Sequence, residues 1–354
     1  MKIVTILGAR PQFIKASVVS RAFNIAGIDE VIIHTGQHFD RTMSDIFFQD
    51  LELPAPQHHL NIHSLNHGAM TGRMMEQIEE LLLQDKPDWI CIYGDTNSTL
   101  AGALAGAKLR IPLAHIEAGL RSFNRVMPEE VNRVVTDHLS QLLFAPTPLA
   151  VKCLRKEGIF QGVHLVGDVM MDTILEYQAK AEQTSDVLAR HQLHPQKFYL
   201  ATIHRPSNTD NVSRLSSILD SFNQLGCPVI FPIHPRTLAQ INNNNLRHYL
   251  DTGLIKATPP VSYLDMLTLE NACRAVITDS GGIQKEAYIL RRPCFTLRDE
   301  TEWKETVESG WNQLVQPTTL SQSIANFTQP SKWPTLYGEG NAASKITDIL
   351  QASI

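Results

Sequence analysis

Cysteine, positive charge and long apolar runs are all scarce in this chain of 354 residues. Its five cysteines, at positions 91, 153, 227, 273 and 294, form no close pair, which argues against a disulfide framework and against a zinc site. Acidic residues outnumber basic ones by 36 to 31, and the formal net charge of −5 argues against binding to nucleic acid or to a membrane surface. Any anionic ligand must therefore be held by locally placed cations.

Signals for export and for membrane crossing are also missing from the sequence. The amino-terminal stretch is too short in its apolar part for a signal peptide, and no run of about 18 apolar residues occurs. The GxGxxG dinucleotide fingerprint is absent, and none of the 14 histidines forms an HExxH pair; His58 and His59 are interpreted as exposed loop. We therefore expect a cytoplasmic protein that uses no metal ion and no nicotinamide cofactor.

Short apolar, β-branched runs alternate with longer amphipathic stretches along the chain. This alternation predicts an α/β protein with doubly wound parallel sheets. The pattern pauses in the polar stretch 168–196 and then restarts, so we predict one Rossmann-like domain at 1–167 and a second at 168–341. The last apolar helix, 342–354, has no strand after it and is predicted to pack back on the first domain. Strands are predicted at Lys2–Leu7, Val31–Thr35, Trp89–Tyr93, Leu113–Ile116, Leu142–Ala145, His164–Val166, Tyr199–Ile203, Val229–Ile233, Leu254–Ala257, Ala275–Thr278 and Cys294–Thr296.

Charged residues directly follow three predicted strands of the first domain, at the sheet edge where open α/β proteins bind ligands. Arg10 comes after the first strand beside a helix start, which favours phosphate, although a solvated arginine is an equally simple interpretation. Asp95 and Glu117 follow two later strands, and Glu129 opens a helix. Asp95 could instead cap a helix, and Glu129 could instead favour the helix dipole. Carboxyls crowded at one sheet edge are expected to exchange protons near neutral pH.

The second domain presents cations and a glycine turn at the ends of its strands. A Ser-Gly-Gly turn at a predicted helix start offers backbone N–H groups to phosphate oxygens, and a glutamate further along that helix could accept from a ribose diol. The residues that share this placement are Ser280, Gly281, Gly282, Glu286, His204, His234 and Arg298. They predict a nucleoside diphosphate site, and together with the carboxyls of the first domain they suit chemistry at a sugar attached to a nucleotide.

Eight strings that occur in order over nearly the whole chain resemble the non-hydrolysing UDP-N-acetylglucosamine 2-epimerases. They are GARPQFIK, GDTNST, HIEAGLRS, MPEEVNR, IHR, IHPR, DSGGIQKEA and LRDETEW. The resemblance implies the GT-B fold, in which two Rossmann-like domains form the active site in the cleft between them. It also implies a homodimer and a role in making surface polysaccharide or O-antigen precursors. The implied reaction inverts C2 of a UDP-2-acetamido sugar by eliminating UDP to a 2-acetamidoglucal and adding it back.

The resemblance also assigns roles to individual positions. The catalytic positions of the family fall on Asp95, Glu117, Glu129 and His204. Its UDP-binding and substrate-binding positions fall on Arg10, Lys15, His234, Tyr263, Ser280, Gly281, Gly282, Glu286 and Arg298. Solvated surface is the alternative interpretation of Lys15, and a core aromatic is the alternative for Tyr263. No cofactor is implied.

Departures from the family pattern bear on regulation and on the substrate. After His204-Arg205 the chain reads PSN rather than REN, the TTERPE segment reads ETEWKE, and the GQH segment continues with Phe39 and Asp40. Some of these positions belong to the site where UDP-GlcNAc activates certain relatives, so the sequence does not predict that activation here. The pattern most resembles the branch that acts on UDP-2,3-diacetamido-2,3-dideoxy-glucuronate. The extra carboxylate of that sugar needs a cation, which Arg121 or Lys304 is predicted to supply.

Other functions remain compatible with these residues. A GT-B glycosyltransferase shares the fold but needs one base and an acceptor groove rather than three carboxyls. A hydrolysing epimerase, which releases N-acetylmannosamine and UDP, uses many of the same residues. A non-catalytic sensor of nucleotide sugars would leave the carboxyls without a use.

Overall fold

The computed structural model describes residues 1–37, 48 and 50–353 of the chain. The departures noted at Phe39 and Asp40, and the predicted helix end at Ile354, lie outside the described residues. The chain forms two compact units, one made of Met1–Leu175 with Thr335–Ile354 and the other of Glu176–Pro334. Among the described residues, no helix combines the length and apolar character that crossing a membrane requires.

The first unit is built on a parallel sheet that has seven strands within the described residues, in the order β3-β2-β1-β4-β5-β6-β7. The strands are β1 (Lys2–Leu7), β2 (Asp29–His34), β3 (His58–His59), β4 (Trp89–Tyr93), β5 (Leu113–Ile116), β6 (Leu142–Ala145) and β7 (Val163–Leu165). The central strands read as continuous apolar runs because helices cover both faces of such a sheet, and β4 and β5 are buried at every position.

The helices of the first unit connect these strands. They are Arg10–Ile25, His67–Asp85, Asn97–Leu109, Pro128–Leu139, Pro148–Lys156 and Ala342–Ala352, with Val169–Thr184 leading into the second unit. Three of them carry proline in the first turn, where its missing N–H costs no hydrogen bond. The last helix packs against Arg10–Ile25, and the Gln351 side-chain amide donates to the Ala26 carbonyl at 3.4 Å.

The second unit repeats this architecture with a parallel sheet in the order β10-β9-β8-β11-β12-β13. Its strands are β8 (Tyr199–Thr202), β9 (Val229–Pro232), β10 (Ile255–Thr258), β11 (Ala275–Thr278), β12 (Cys294–Thr296) and β13 (Asn312–Leu314). Its α-helices are Val187–Arg190, Pro206–Thr209, Val212–Asn223, Pro235–Asn243, Tyr263–Ala272, Gly281–Ile289, Lys304–Glu308 and Leu320–Asn326, with 3₁₀ turns at Arg247–Thr252 and Pro317–Thr319. The α/β class with doubly wound parallel sheets is therefore confirmed.

Two edge strands differ from the sequence prediction. His58 and His59, interpreted as exposed loop, form the short strand β3 beside β2, and the flanking Leu60 N–H donates to the His34 carbonyl at 2.9 Å. The strand β13 was not predicted at all. Both are short edge strands that pair through the backbone, and their side chains show no period that would indicate a strand.

The boundary between the units lies further along the chain than the boundary predicted at Gly167–Asp168. The units divide later, within the helix Val169–Thr184. Before that helix the chain is tied to the returning carboxyl-terminal segment, because the Asp168 N–H donates to the Tyr337 carbonyl at 2.9 Å. Asp172, in the first turn of the helix, accepts from the Ala343 N–H at 2.9 Å. These bonds keep the start of the helix in the first unit.

Candidate active site

In both sheets, candidate site residues follow the strands that border the point where the strand order reverses. In the first unit this point lies between β1 and β4, and in the second it lies between β8 and β11. Arg10 and Asp95 follow β1 and β4, while His204 and Ser280 follow β8 and β11. Parallel α/β sheets bind their ligands at this topological switch point, beyond the carboxyl ends of the strands. The candidate site residues of each unit are therefore where the fold favours a ligand.

Glu117 and Gly94 define the close approach between the turns that follow β5 and β4. Glu117 has a φ of 71°, an uncommon value for a residue with a side chain, and Gly94 has a φ of 62°. A Cβ atom on Gly94 would lie 3.2 Å from Glu117 Oε2. The Glu117 carboxylate thus lies directly over the Gly94 backbone, and a side chain at position 94 would crowd it.

Lys15 is buried against this carboxylate. It projects from the helix Arg10–Ile25 and forms an ion pair with Glu117, and the two side chains are only 9% and 8% exposed. The alternative of a solvated surface lysine is therefore wrong. Each of these two buried groups compensates the other, because either one alone would be costly to bury.

Asp95 is paired with an arginine that the sequence did not single out. Arg133, on the helix Pro128–Leu139, donates to Asp95 Oδ2. Burial raises the pKa of the Asp95 carboxyl above its ordinary value, against the lowering effect of Arg133, and the nearby charge of Glu117 raises it further. Asp95 does not cap the next helix, since Thr96 is the cap and accepts from the Thr99 N–H. A carboxyl with a raised pKa can take up and release a proton closer to neutral pH.

Glu129 and Glu130, both in the first turn of the helix Pro128–Leu139, have different surroundings. Glu129 is exposed in the first turn, outside the ion-pair network of Asp95 and Glu117. Glu130 is buried, accepts from the backbone N–H groups of Ser122 and Phe123 at 2.9 and 2.8 Å, and lies 3.1 Å from Arg133 Nη1. Glu130 therefore fixes the loop after β5, a role that the sequence analysis missed.

Arg121 does not fit its predicted role as a cation for the sugar. Its guanidinium is buried and donates twice to Glu157, at 2.7 Å each, and once to Asp137 at 2.7 Å. A fourth hydrogen bond, at 2.6 Å, goes to the Leu120 carbonyl. The guanidinium is thus committed to holding the loop after β5, and the structure assigns Arg121 a structural role.

Arg10 opens the helix after β1, and Gln12 fixes the turn that presents it. The Gln12 side chain accepts from the N–H groups of Gly8 and Ala9 at 2.8 and 3.0 Å and donates to the Tyr93 carbonyl at 2.8 Å. It thereby joins the end of β1 to the end of β4. Arg10 itself is partly exposed. Apart from its place in the GARPQ string, no feature of the sequence pointed to Gln12.

His204 is oriented by a buried carboxylate at the end of β11. The Asp279 side chain is fully buried and accepts from the backbone N–H groups of His204 and Arg205 and from the Asn208 amide, at 3.0 to 3.1 Å. The His204 Nδ1 atom lies 3.2 Å from Asp279 Oδ1, while the ring remains 42% exposed. The His234 ring is centred 5.8 Å away. His204 can therefore present Nε2 to a ligand while Asp279 holds Nδ1.

The helix Gly281–Ile289 begins with the predicted phosphate-binding turn. Ser280 is its N-cap residue, but within the described residues its side chain makes no capping hydrogen bond. The side chain of Glu286 is buried, whereas Gly282 is exposed with only Ser280 Oγ, at 3.9 Å, near the position of a Cβ atom. The space beside Gly282 is thus open at the start of this helix, where N–H groups without an intrahelical partner can bind anions.

Arg298 lies in a group of charges beside this turn. Its Nη1 atom is 3.0 Å from Glu302 Oε2, and Arg205 Nη2 is 3.7 Å from Glu302 Oε1. Burial lowers the pKa of Arg298, although Glu302 opposes the effect. A Cβ atom on Gly281 would lie 2.3 Å from Glu302 Oε1. Glu302 thus places a carboxylate at the helix start, another residue that the sequence analysis missed.

Tyr263 occupies the first position of the helix Tyr263–Ala272 and is buried. Its ring meets that of Tyr177 edge to face, with centroids 6.3 Å apart. This position fits the alternative of a core aromatic better than a ring that stacks on a base. Across the described parts of the chain, no group of three or more histidine, cysteine, aspartate or glutamate side chains is arranged to hold a metal ion.

Known proteins resemble this chain over its whole length. The family model described as UDP-N-acetylglucosamine 2-epimerase matches residues 22–351. A UDP-N-acetylglucosamine 2-epimerase homolog from Methanococcus maripaludis is 48% identical over 356 residues, covering 99% of each chain. The UDP-2,3-diacetamido-2,3-dideoxy-D-glucuronate 2-epimerase of Pseudomonas aeruginosa is 47% identical over 367 residues, also covering 99% of each. The crystal structure of Methanocaldococcus jannaschii UDP-GlcNAc 2-epimerase, in complex with UDP-GlcNAc and UDP, is 43% identical, covers 100% of both chains and gives a TM-score of 0.94.

These similarities confirm two predictions made from the motifs, the GT-B fold class and the family. The match with the solved epimerase extends over the whole of both chains, and the match with the relative from Methanococcus maripaludis over 99% of each. The chain therefore belongs to the UDP-N-acetylglucosamine 2-epimerase family, and it is an isomerase.

Proposed function

We propose that this enzyme inverts C2 of a UDP-2-acetamido sugar without hydrolysing it. The observation that carries the proposal is the Asp95 carboxyl, whose pKa is raised by burial beside the Glu117–Lys15 ion pair. A carboxyl with a raised pKa, next to a second carboxylate, is suited to removing a proton from carbon and returning it. A glycosyl transfer needs only one such base.

The chemical difficulty of this reaction lies in the C2–H bond, which has no neighbouring carbonyl to make it acidic. Breaking the bond between C1 and the diphosphate oxygen develops positive charge at C1, and this makes the proton on C2 acidic. The electrons of the C2–H bond then form the C1=C2 double bond of a 2-acetamidoglucal, and UDP leaves as the anion. Return of a proton to the opposite face of C2, with re-formation of the C1–O bond, gives the epimer.

The residues of the two units take complementary roles in this proposal. Asp95 and Glu117 accept and return the C2 proton, and the exposed Glu129 remains a third candidate. His204, held by Asp279, donates a hydrogen bond to the departing diphosphate. The UDP group is bound by Arg10, His234, Ser280, Gly281, Gly282, Glu286 and Arg298. Arg121 is omitted because its guanidinium is already engaged.

Two substrates follow from the comparisons. The relative from Pseudomonas aeruginosa is named for UDP-2,3-diacetamido-2,3-dideoxy-D-glucuronate, and the relative of similar identity from Methanococcus maripaludis is named as a homolog of UDP-N-acetylglucosamine 2-epimerase. We place the uronate first because the motif pattern resembles that branch more closely. With Arg121 engaged, the exposed Lys304 is the remaining predicted cation for its carboxylate.

The test is incubation of the protein with each UDP sugar in heavy water, followed by NMR of the products. Deuterium at C2 with UDP still attached supports the proposal, and the sugar that turns over identifies the substrate. Free sugar together with UDP would mean a hydrolysing epimerase. Absence of deuterium at C2 with both sugars would overturn the proposal and favour a transferase or a binding protein.

A matched pair of variants tests the role of Glu117. We expect Glu117→Gln to lower kcat by about 10²- to 10⁴-fold, the usual contribution of a general acid or base, with little change in UDP affinity. Glu80→Gln, an exposed glutamate on the helix His67–Asp85, is the control and should keep normal turnover. Since the first change leaves Lys15 without its carboxylate, thermal unfolding is measured for both. Near-normal turnover of a folded Glu117→Gln protein would contradict the assignment.

The proposal also includes the assembly and setting implied by the family resemblance. We propose a cytoplasmic homodimer that makes precursors of surface polysaccharide such as O-antigen. Light scattering in solution tests the first part, since one chain has a mass of 39.6 kDa and a dimer would have twice that mass. A single-chain mass at micromolar concentration would contradict it.

A further inference from the structure

Beneath the turn that carries Asp95 lies a histidine that the proposed mechanism does not use. His115 is in the middle of β5 and is fully buried. Its Nε2 atom is 2.7 Å from the Gly94 carbonyl oxygen, and its Nδ1 atom is 2.7 Å from Asp137 Oδ1. Both ring nitrogens therefore face oxygen atoms at short hydrogen-bonding distance.

Neither of these oxygen atoms can donate a hydrogen. The Gly94 oxygen belongs to a peptide carbonyl, which only accepts. The Asp137 carboxylate also accepts from the Gly119 N–H at 3.1 Å and from Arg121 at 2.7 Å. These two donors fit an ionised Asp137 carboxylate, which can only accept, so each nitrogen of His115 must carry a hydrogen.

The surrounding charges fit this conclusion. The fully buried Asp137 carboxylate lies between His115 and Arg121, while Glu157, 27% exposed, pairs with Arg121 and lies 3.5 Å from the His138 ring. The hydrogen bonds from Arg121 hold the pKa of Glu157 below its usual value. A neutral imidazole would instead direct one nitrogen lone pair at an oxygen lone pair, which is costly in a buried site.

We propose that His115 is a doubly protonated positioning residue that joins the two turns carrying the acidic groups. One N–H holds the Gly94 carbonyl, next to Asp95, and the other holds Asp137, which in turn holds the Gly119 N–H two residues after Glu117. The protonation state stands on the geometry alone, whereas the catalytic consequence rests on the proposed function of Asp95 and Glu117. His115 touches no substrate and acts through these turns.

The protonation state is tested by NMR on protein labelled with ¹⁵N in its histidines. Both ring nitrogens of His115 are expected to carry hydrogen at pH 7.5, and the signals are identified by their loss in His115→Asn. If that variant does not fold, Asp137→Asn identifies them instead, because removing the carboxylate should release one of the two hydrogens. A ring nitrogen of His115 without hydrogen at pH 7.5 would overturn the proposal.

The positioning role is tested by kinetics on His115→Gln with His164→Gln as control. His164 is a half-buried histidine on β7, at the edge of the same sheet. We expect kcat of His115→Gln to fall about 100-fold through displacement of the two turns, with UDP affinity changed less than about twofold, and the control to be near normal. Rates are expressed per UDP-binding site, so that loss of folded protein does not count.

The two possible failures are distinguishable. If wild-type protein places no deuterium at C2 of either sugar, the proposed function fails, and the NMR result alone decides the protonation of His115. If wild type is active and His115→Gln retains its kcat while folded, His115 does not position the acidic turns.

Discussion

Burial and nearby charges have opposing effects on the pKa of the Asp95 carboxyl, and their balance decides whether it can exchange a proton. Burial and the charge of Glu117 disfavour its ionised form, while Arg133 and Lys15 favour it. The net result is a raised pKa of the Asp95 carboxyl, even though a guanidinium donates directly to it. Arg133 therefore limits how far the pKa of the Asp95 carboxyl rises and keeps its ionised form accessible.

We expect Arg133→Gln to move the Asp95 limb of the pH profile of kcat/KM to higher pH. Arg133 lowers the pKa of Asp95, so its loss raises that pKa further, and the carboxyl stays protonated to a higher pH than in wild type. The matched control is Arg125→Gln, an exposed arginine in the preceding loop, which should leave the profile unchanged. A limb that moves to lower pH, or does not move, would mean that another group is titrating.

The sequence identified Asp95 and Glu117 because each directly follows a buried strand, but it could not supply their partners. Lys15 and Arg133 lie on helices far away in the chain, and their contacts depend on how those helices pack. Two consecutive glutamates, 129 and 130, gave the same signal, yet only Glu130 turns inward to accept from the loop. Arg121 was chosen for its charge alone, and its bidentate partner Glu157 lies 36 positions further on.

At the scale of elements, the predicted bounds are best where strands are buried on both faces. β1, β4, β5, β6, β11 and β12 begin and end at the predicted residues. Such strands are runs of apolar residues bounded by turn residues, so both limits can be read from the sequence. The edge strands β3 and β13 are short and pair on one side only, and no side-chain pattern marks them.

Gly282 offers a test of the predicted phosphate-binding turn as an element. We expect Gly282→Ala to leave the free energy of unfolding unchanged or raise it by up to about 1 kcal/mol, because alanine favours the helix and no atom crowds its Cβ. UDP affinity should fall, since the added methyl group occupies the space left for the phosphates. Gly68→Ala is the control at the same second position of another helix, also in open space, and should not affect UDP binding. Unchanged UDP affinity in Gly282→Ala would place the diphosphate elsewhere.

Gly119 and Gly158 allow backbone strain to be separated from crowding in the first unit. Both have left-handed φ values, 84° and 82°, but a Cβ atom at 119 would lie 2.6 Å from the Ala150 carbonyl oxygen, while at 158 nothing lies within 4 Å. We expect Gly158→Ala to cost about 1 to 2 kcal/mol of unfolding free energy from the backbone conformation alone. Gly119→Ala should cost clearly more in denaturant unfolding, because backbone atoms of the neighbouring helix cannot easily move. Equal losses of unfolding free energy in the two variants would show that the helix Pro148–Lys156 moves easily to make room for the added methyl group.

At the scale of the whole molecule, an acidic chain binds an anionic ligand by concentrating its cations locally. The net charge is −5, yet Arg10 and Arg205 follow β1 and β8, which border the switch points of their sheets, and Arg298 follows β12. The repeated architecture could be predicted because the alternation of strands and helices restarts along the chain. The exact division of the chain could not be predicted, because it depends on hydrogen bonds of Asp168 and Asp172 to the returning carboxyl-terminal segment, which is distant in sequence.

Hydrogen exchange measured across both units tests the proposal that the second unit binds the diphosphate of UDP. We expect UDP to protect the amides at the start of the helix Gly281–Ile289 most strongly, because we propose that the N–H groups there bind the phosphate oxygens. At a UDP concentration about 100 times its Kd, bound protein gains about 2.7 kcal/mol against unfolding, so the most slowly exchanging amides of the second sheet should also slow. Uridine, which lacks the phosphates, is the control ligand and should not protect the helix start. Protection confined to the first unit, or equal protection by uridine, would contradict the assignment of the diphosphate to the second unit.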